Sequence, residues 1–163
     1  MTQNNSDYKI IKMNAAHVVA VAGLEKQCFS TPWSLRSITS ELSNPLSYWI
    51  VAVNGENEVL GYAGSQAVLD EADVMNVAVA PAARNQGLAS RLMTALMVAL
   101  ADRGVHRLSL EVRASNYAAI SMYQKLGFLQ AGIRPGYYTD PKEDALILCA
   151  VLPSAEGSEE MLF

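Results

Sequence analysis

The sequence is poor in the residues that build metal centres and disulfide scaffolds. It has two cysteines, Cys28 and Cys149, and two histidines, His17 and His106, all far apart and in no ligand spacing. Neither a zinc site nor a disulfide framework is expected, and no metal is called for. Charged residues amount to 17% against 51% hydrophobic, which excludes a disordered chain. No apolar run approaches the ~20 residues that span a bilayer, so no membrane association is expected. The opening MTQNNSDYKI lacks a basic and then apolar stretch, so no signal peptide is expected and a reducing cytoplasm is the expected compartment. An excess of positive charge is missing too. Net charge is −4, and three acids (Glu156, Glu159, Glu160) lie beyond Pro153, leaving 12 basic and 13 acidic groups in the rest. A nearly neutral body argues against direct nucleic-acid binding, which needs a basic face. Neither G-x-x-x-x-G-K-[ST] nor a G-x-G-x-x-G after a strand occurs, which disfavours nucleoside triphosphatases and dinucleotide enzymes.

What is present fits one domain over residues 1–152, followed by an acidic tail, 153–163, expected to be disordered. Tyr8 to Lys12 reads as a strand. Asn14 can cap a helix reaching about Gln27, and Ser34 a second one with Leu35, Ile38 and Leu42 on one face. Tyr48–Val53, Val59–Leu69 and Asp73–Ala80 read as a three-strand antiparallel meander, with the last turn at Asp70-Glu71-Ala72. Residues 86–103 form the strongest helix, because Leu88, Leu92, Leu96 and Leu100 recur every four residues. Leu108–Val112 is then a strand parallel to the one before the helix. A helix from Asn116 to Leu126 and strands Phe128–Ile133 and Ala145–Leu152 complete a β-α-α-β-β-β-α-β-α-β-β order, a mixed α/β fold.

The most informative junction runs from Val77-Ala78-Val79 through Arg84-Asn85-Gln86-Gly87-Leu88-Ala89-Ser90. A strand ends, a polar loop follows, and a glycine opens the long helix. Helix N-termini present unpaired N–H groups and partial positive charge, and Gly87 with small Ala89 lets a pyrophosphate approach. Arg84 and Arg91 can add charge. Taken alone, an ordinary loop-to-helix connection is the favoured reading. A second cluster is Leu110-Glu111-Val112-Arg113-Ala114-Ser115-Asn116, with Tyr123 on the following helix. An acid on an otherwise apolar strand is costly unless paired or functional. Singly, Glu111 reads as an ion-pair member and Tyr123 as a core aromatic.

Together and in this order, the two segments resemble the GNAT superfamily of N-acetyltransferases. Residues 84–89 match its [RQ]-x-x-G-x-[GA] motif, and Asn116…Ala119…Tyr123…Gly127-Phe128 matches its N-x-x-A-x-x-x-Y-x-x-x-G-F helix. Phe29…Pro32-Trp33-Ser34, Leu69 to Ala72, Leu110 to Asn116, Tyr137-Tyr138 and Glu143-Asp144-Ala145 further resemble the bacterial RimI-type ribosomal-protein alanine N-acetyltransferases. The resemblance implies the acyl-CoA N-acyltransferase fold, with a splayed parallel strand pair, and acetyl-CoA as cosubstrate. It implies that Val77, Ala78 and Val79 pair with the pantetheine arm and that Asn85 through Ser90 wrap the pyrophosphate, with Arg84 beside them. Asn116 would bind the cofactor or order the Glu111 region. Glu111 would be the general base and Tyr123 the acid that protonates the leaving sulfur. Trp33, Tyr137 and Tyr138 would wall the cleft for a protein N-terminal peptide, that of a small-subunit ribosomal protein, S18. Ser90 departs from the pattern, since a basic residue is frequent there, and Arg91 is the candidate substitute.

The alternatives are the same chemistry on a lysine, polyamine or other small amine, and a coenzyme A-binding module without turnover. An α-amine costs about 1 kcal/mol to neutralise at pH 7 and lysine roughly 4.6 kcal/mol, which favours the N-terminal substrate. Intact Glu111 and Tyr123 count against a module without turnover.

Overall fold

The structure, a computed structural model, describes residues 7–153. The acidic tail expected after Pro153 lies outside the described residues. Among the described residues, seven strands and four helices follow one another in the expected order, with a short 3-10 turn at Pro81–Ala83 added. Sheet order is β1-β2-β3-β4-β5-β7-β6, and the chain divides into two compact units.

The first unit holds residues up to Ser65 and Met75–Leu96. Strand β1 (Tyr8–Lys12) pairs antiparallel with β2 (Ser47–Asn54), from Tyr8↔Asn54 to Lys12↔Ile50. Helix α1 (Val18–Cys28) begins later than expected, with His17 at its N-cap. Asn14 does not cap it. Its Oδ1 accepts the Ala16 N–H at 2.9 Å, and its own N–H donates to His17 Nδ1 at 3.0 Å. Asparagine closing a local turn on its own backbone competes with the helix there. Ser34 does cap α2 (Leu35–Glu41), accepting the Ser37 N–H at 3.1 Å. Of the three apolar residues expected on one face, Ile38 is buried and Leu35 and Leu42 are exposed. Strands β3 (Val59–Val68) and β4 (Glu71–Val79) meet through Leu69-Asp70, a tighter turn than expected, with Leu69 at φ +58°. The core of this unit centres on Trp49, stacked on Tyr62 at 5.9 Å and met edge-on by Trp33 at 5.4 Å. Gly64 makes room for it: a Cβ there would lie 2.2 Å from the indole. That is why a strand glycine, unfavourable by propensity, stands at this position.

The second unit holds Gln66–Val74 and the residues from Met97 onward. Helix α3 (Leu88–Asp102) runs out of the first unit into this one, and its Leu88, Leu92, Met93, Leu96 and Leu100 are buried as the four-residue repeat requires. Strand β5 (Arg107–Arg113) is parallel to the start of β4 over Glu71↔Arg107, Ala72↔Leu108 and Asp73↔Ser109. Helix α4 (Tyr117–Lys125) follows, and Gly127, at φ +100°, ends it. Strand β6 (Leu129–Tyr138) is longer than expected, so Tyr137 and Tyr138 close a strand instead of sitting in a loop. It pairs antiparallel with β7 (Glu143–Val151), which pairs antiparallel with β5 from Arg107↔Val151 to Arg113↔Ala145. Leu108, Leu110, Val112, Phe128 and Leu148 are buried on this framework.

Candidate active-site residues

In the first unit, β4 ends in Val77, half-buried, and Ala78 and Val79, both buried. Arg84 folds back onto this strand end. Its Nε donates to the Val79 carbonyl at 3.2 Å, and its Nη2 lies 3.3 Å from Cys28 Sγ. Asn85 and Gly87 both adopt positive φ, +63° and +77°, conformations that asparagine and glycine tolerate. Two such residues reverse the chain into α3. The Arg91 N–H reaches the Gly87 carbonyl at 3.1 Å. The N–H groups of Leu88, Ala89 and Ser90 precede that bond and lie beyond the helix's own i−4 ladder. An added Cβ at Gly87 would meet nothing within 4 Å. N–H groups at a helix start are donors that a pyrophosphate can take. Arg91 does not stand free beside them: it donates to the Tyr8 hydroxyl at 2.6 Å.

The same unit contains a residue that the sequence reading passed over. Glu25 is fully buried. Its Oε1 accepts from the Tyr62 hydroxyl at 2.5 Å and from Asn76 Nδ2 at 2.7 Å; its Oε2 accepts the Trp33 N–H at 3.0 Å. Tyr62 is held protonated, its pKa pushed far up by burial and then by Glu25. The carboxylate ties α1 to β3, to β4 one residue before Val77, and to the segment carrying Trp33. A lone acid within an apolar helix stretch, Ala22-Gly23-Leu24-Glu25, was the available signal.

In the second unit, Glu111 projects from β5 and ion-pairs with Arg134 Nε of β6 at 3.2 Å, both partly exposed. Tyr123 of α4 is buried and meets Phe128 edge-on at 5.5 Å. Burial, and then nearby Tyr138, push its pKa up to about 12, so the hydroxyl stays protonated at neutral pH. Tyr138 is likewise pushed up to about 12 by burial, Tyr137, Glu111 and Glu143 against the lowering effect of Arg113. Its ring meets that of Tyr137 at 5.1 Å. Tyr138 thus interacts electrostatically with Tyr123 and with Glu111. Asn116 accepts the Ala119 N–H at 3.2 Å and caps α4. Among the described residues, no three His, Cys, Asp or Glu side chains group as a metal set, and no helix is long and apolar enough to cross a membrane.

A family model described as the Acetyltransferase (GNAT) family matches residues 18–128. The chain belongs to the GNAT acetyltransferase family. It is an N-acetyltransferase. Among similar GNAT proteins is the ribosomal protein bS18-alanine N-acetyltransferase of Escherichia coli K12, 39% identical over 85% of this chain and 94% of the relative. The protein of that name from Salmonella typhimurium is 38% identical over 77% and 84%. The crystal structure of the Escherichia coli ribosomal-protein-S18-alanine N-acetyltransferase superposes with a TM-score of 0.82, at 36% identity over 89% of this chain and 94% of that one. The GNAT fold expected from the sequence is the fold observed.

Proposed function

We propose that this protein transfers the acetyl group of acetyl-CoA to the N-terminal alanine of ribosomal protein bS18. The observation that carries the reading is the similarity to bS18-alanine acetyltransferases over nearly their whole length. Acetyl-CoA supplies the acetyl group as a thioester. The N–H groups of Leu88 to Ser90, with Asn85 to Gly87 in the turn, hold its pyrophosphate, and Arg84 keeps the Val79 end of β4 in place. The backbone of Val77, Ala78 and Val79 takes the pantetheine arm as an added strand would, and the Val77 N–H polarises the thioester carbonyl.

Glu111 accepts a proton from the substrate ammonium, directly or through water, so that a neutral amine attacks the acetyl carbon. The C–N bond forms as the C–S bond breaks, Tyr123 donates its proton to the departing sulfur, and the second proton shed by the amide nitrogen passes to solvent, from which Tyr123 regains its own. Trp33, Tyr137 and Tyr138 contact the peptide, and Asn116 orders the chain after Glu111. The amine decides the class of substrate. Reaching the neutral form at pH 7 favours an α-amine over lysine by ~3.6 kcal/mol, a few hundred-fold.

The test compares kcat/KM for peptides beginning with Ala, Ser and Trp, an N-blocked lysine peptide and spermidine, with mass spectrometry to locate the acetyl group. The alanine peptide is expected to win. A faster lysine peptide or polyamine overturns the substrate while leaving the enzyme class; no thiol release with any amine overturns turnover itself.

A further inference from the structure

Arg113 has no assigned part in acetyl transfer, yet its guanidinium is engaged by several groups at once. It stands two residues after Glu111 on β5, so the two side chains share a face of the sheet. Its guanidinium reaches across to the turn between β6 and β7. Nη1 donates to the Pro141 carbonyl at 2.9 Å and pairs with Glu143 Oε1 at 3.4 Å; Nη2 donates to the Thr139 carbonyl at 3.3 Å. The Tyr138 ring lies over the guanidinium carbon at 4.4 Å. Glu143, its partner, also accepts the Ser115 N–H at 2.7 Å, so the β5 end and the turn are tied twice. Only a planar fork with several donors can cap two carbonyls, meet a carboxylate and stack a ring at once; an ammonium cannot.

We propose that Arg113 is a positioning residue for the peptide: it locks the β6–β7 turn onto β5 and thereby sets Tyr138 beside Glu111. The proposal rests on the N-terminal acetylation reading above and adds a specificity role to it. The turn's own carbonyls at Thr139 and Pro141 have Arg113 as donor, so the lock and the ring placement fail together when the fork is lost.

The experiment uses R113K, which keeps the charge, and R113Q, which keeps most of the side-chain length, each checked for folding by thermal melt. Hydrogen exchange of the amides around 138–143 reads the lock without any substrate, and is expected to quicken about tenfold in both variants. Peptide KM for an alanine-starting peptide should rise about tenfold or more, and the preference for Ala over Trp at the first position should shrink, while acetyl-CoA KM stays put. Unchanged exchange in R113K overturns the lock. Faster exchange with unchanged peptide KM and selectivity overturns the positioning role, as does a parallel rise in acetyl-CoA KM, which marks general damage. If the parent protein acetylates no N-terminal peptide, the functional reading falls and the specificity role with it, while exchange still decides whether Arg113 holds the turn.

Discussion

The Glu111 carboxylate meets the Arg134 guanidinium at 3.2 Å, across the strands β5 and β6 that flank β7. The expected ion-pair reading therefore holds at this side chain. Exposed pairs of this kind contribute little to stability, about 0–1 kcal/mol. Removing the acid should consequently leave folding nearly intact.

E111Q is expected to lower kcat by about 100-fold at pH 7. The loss should shrink as pH rises past the α-amine's pKa of ~8, where the substrate arrives already neutral. A stopped thiol-release assay across pH 6 to 10 measures this. A profile parallel to that of the parent would remove Glu111 from the base role.

The Gly87 backbone carries a second prediction. A Cβ there meets no protein atom within 4 Å, and the φ of +77° sets a cost for G87V. Forcing a β-branched residue into that region costs about 1–2 kcal/mol, and the loop relieves it by turning away from positive φ. The N–H groups ahead of α3 then lose their aim. Acetyl-CoA affinity should fall about tenfold, since 1.4 kcal/mol is tenfold in Kd. Calorimetry on the folded variant checks it, and an unchanged Kd sinks the pyrophosphate loop.

Much of this was legible in the sequence, for identifiable reasons. The leucine repeat of α3 and the strand runs are strong periodic signals, and they placed nearly every element. Local chemistry at helix starts was less legible: Asn14 and Ser34 both look like caps, but only Ser34 closes its helix, because Asn14 spends its side chain on Ala16. The β6 strand was read too short because Gly132, Pro135 and Gly136 interrupt its pattern; they coincide with the irregular register against β7. The motif residues could be named from spacing, but not their partners. Nothing in the sequence ties Glu25 to Asn76, 51 positions away, or Arg113 to Thr139. Such pairings are set by sheet order, which a one-dimensional pattern does not contain.

The Glu25 network yields a prediction about stability. Replacing this buried acid by leucine leaves the Tyr62 hydroxyl, the Asn76 amide and the Trp33 N–H without their acceptor. Each unsatisfied buried donor costs about 1–3 kcal/mol. The Tyr62 hydroxyl is the buried one and the Asn76 and Trp33 donors are part-buried, so E25L should lose about 1–3 kcal/mol in urea unfolding, and E25Q, which keeps one acceptor oxygen, less. Equal stability of E25L and the parent would show that the three donors find other partners.

Tyr123 supplies the sharpest pH statement. Its hydroxyl pKa is pushed up to about 12, first by burial and then by Tyr138. A raised tyrosine pKa keeps the neutral, proton-donating form populated as pH increases, so an acid role for Tyr123 imposes no alkaline limb on kcat below about pH 11. The substrate amine likewise only improves with pH. The rate of the parent should rise through pH 8 and stay on a plateau to pH 10. Y123F removes the proton while leaving the ring packed edge-on against Phe128, so its melting temperature should hold. Its kcat should drop about 100-fold or more, with acetyl-CoA KM little changed. An acetyl donor whose leaving group departs without protonation separates the two jobs a tyrosine could do here. With a p-nitrophenyl acetyl ester, whose phenolate needs no proton, Y123F should recover most of the parental rate. An equal defect on both donors would assign Tyr123 to packing and take the acid role away from it.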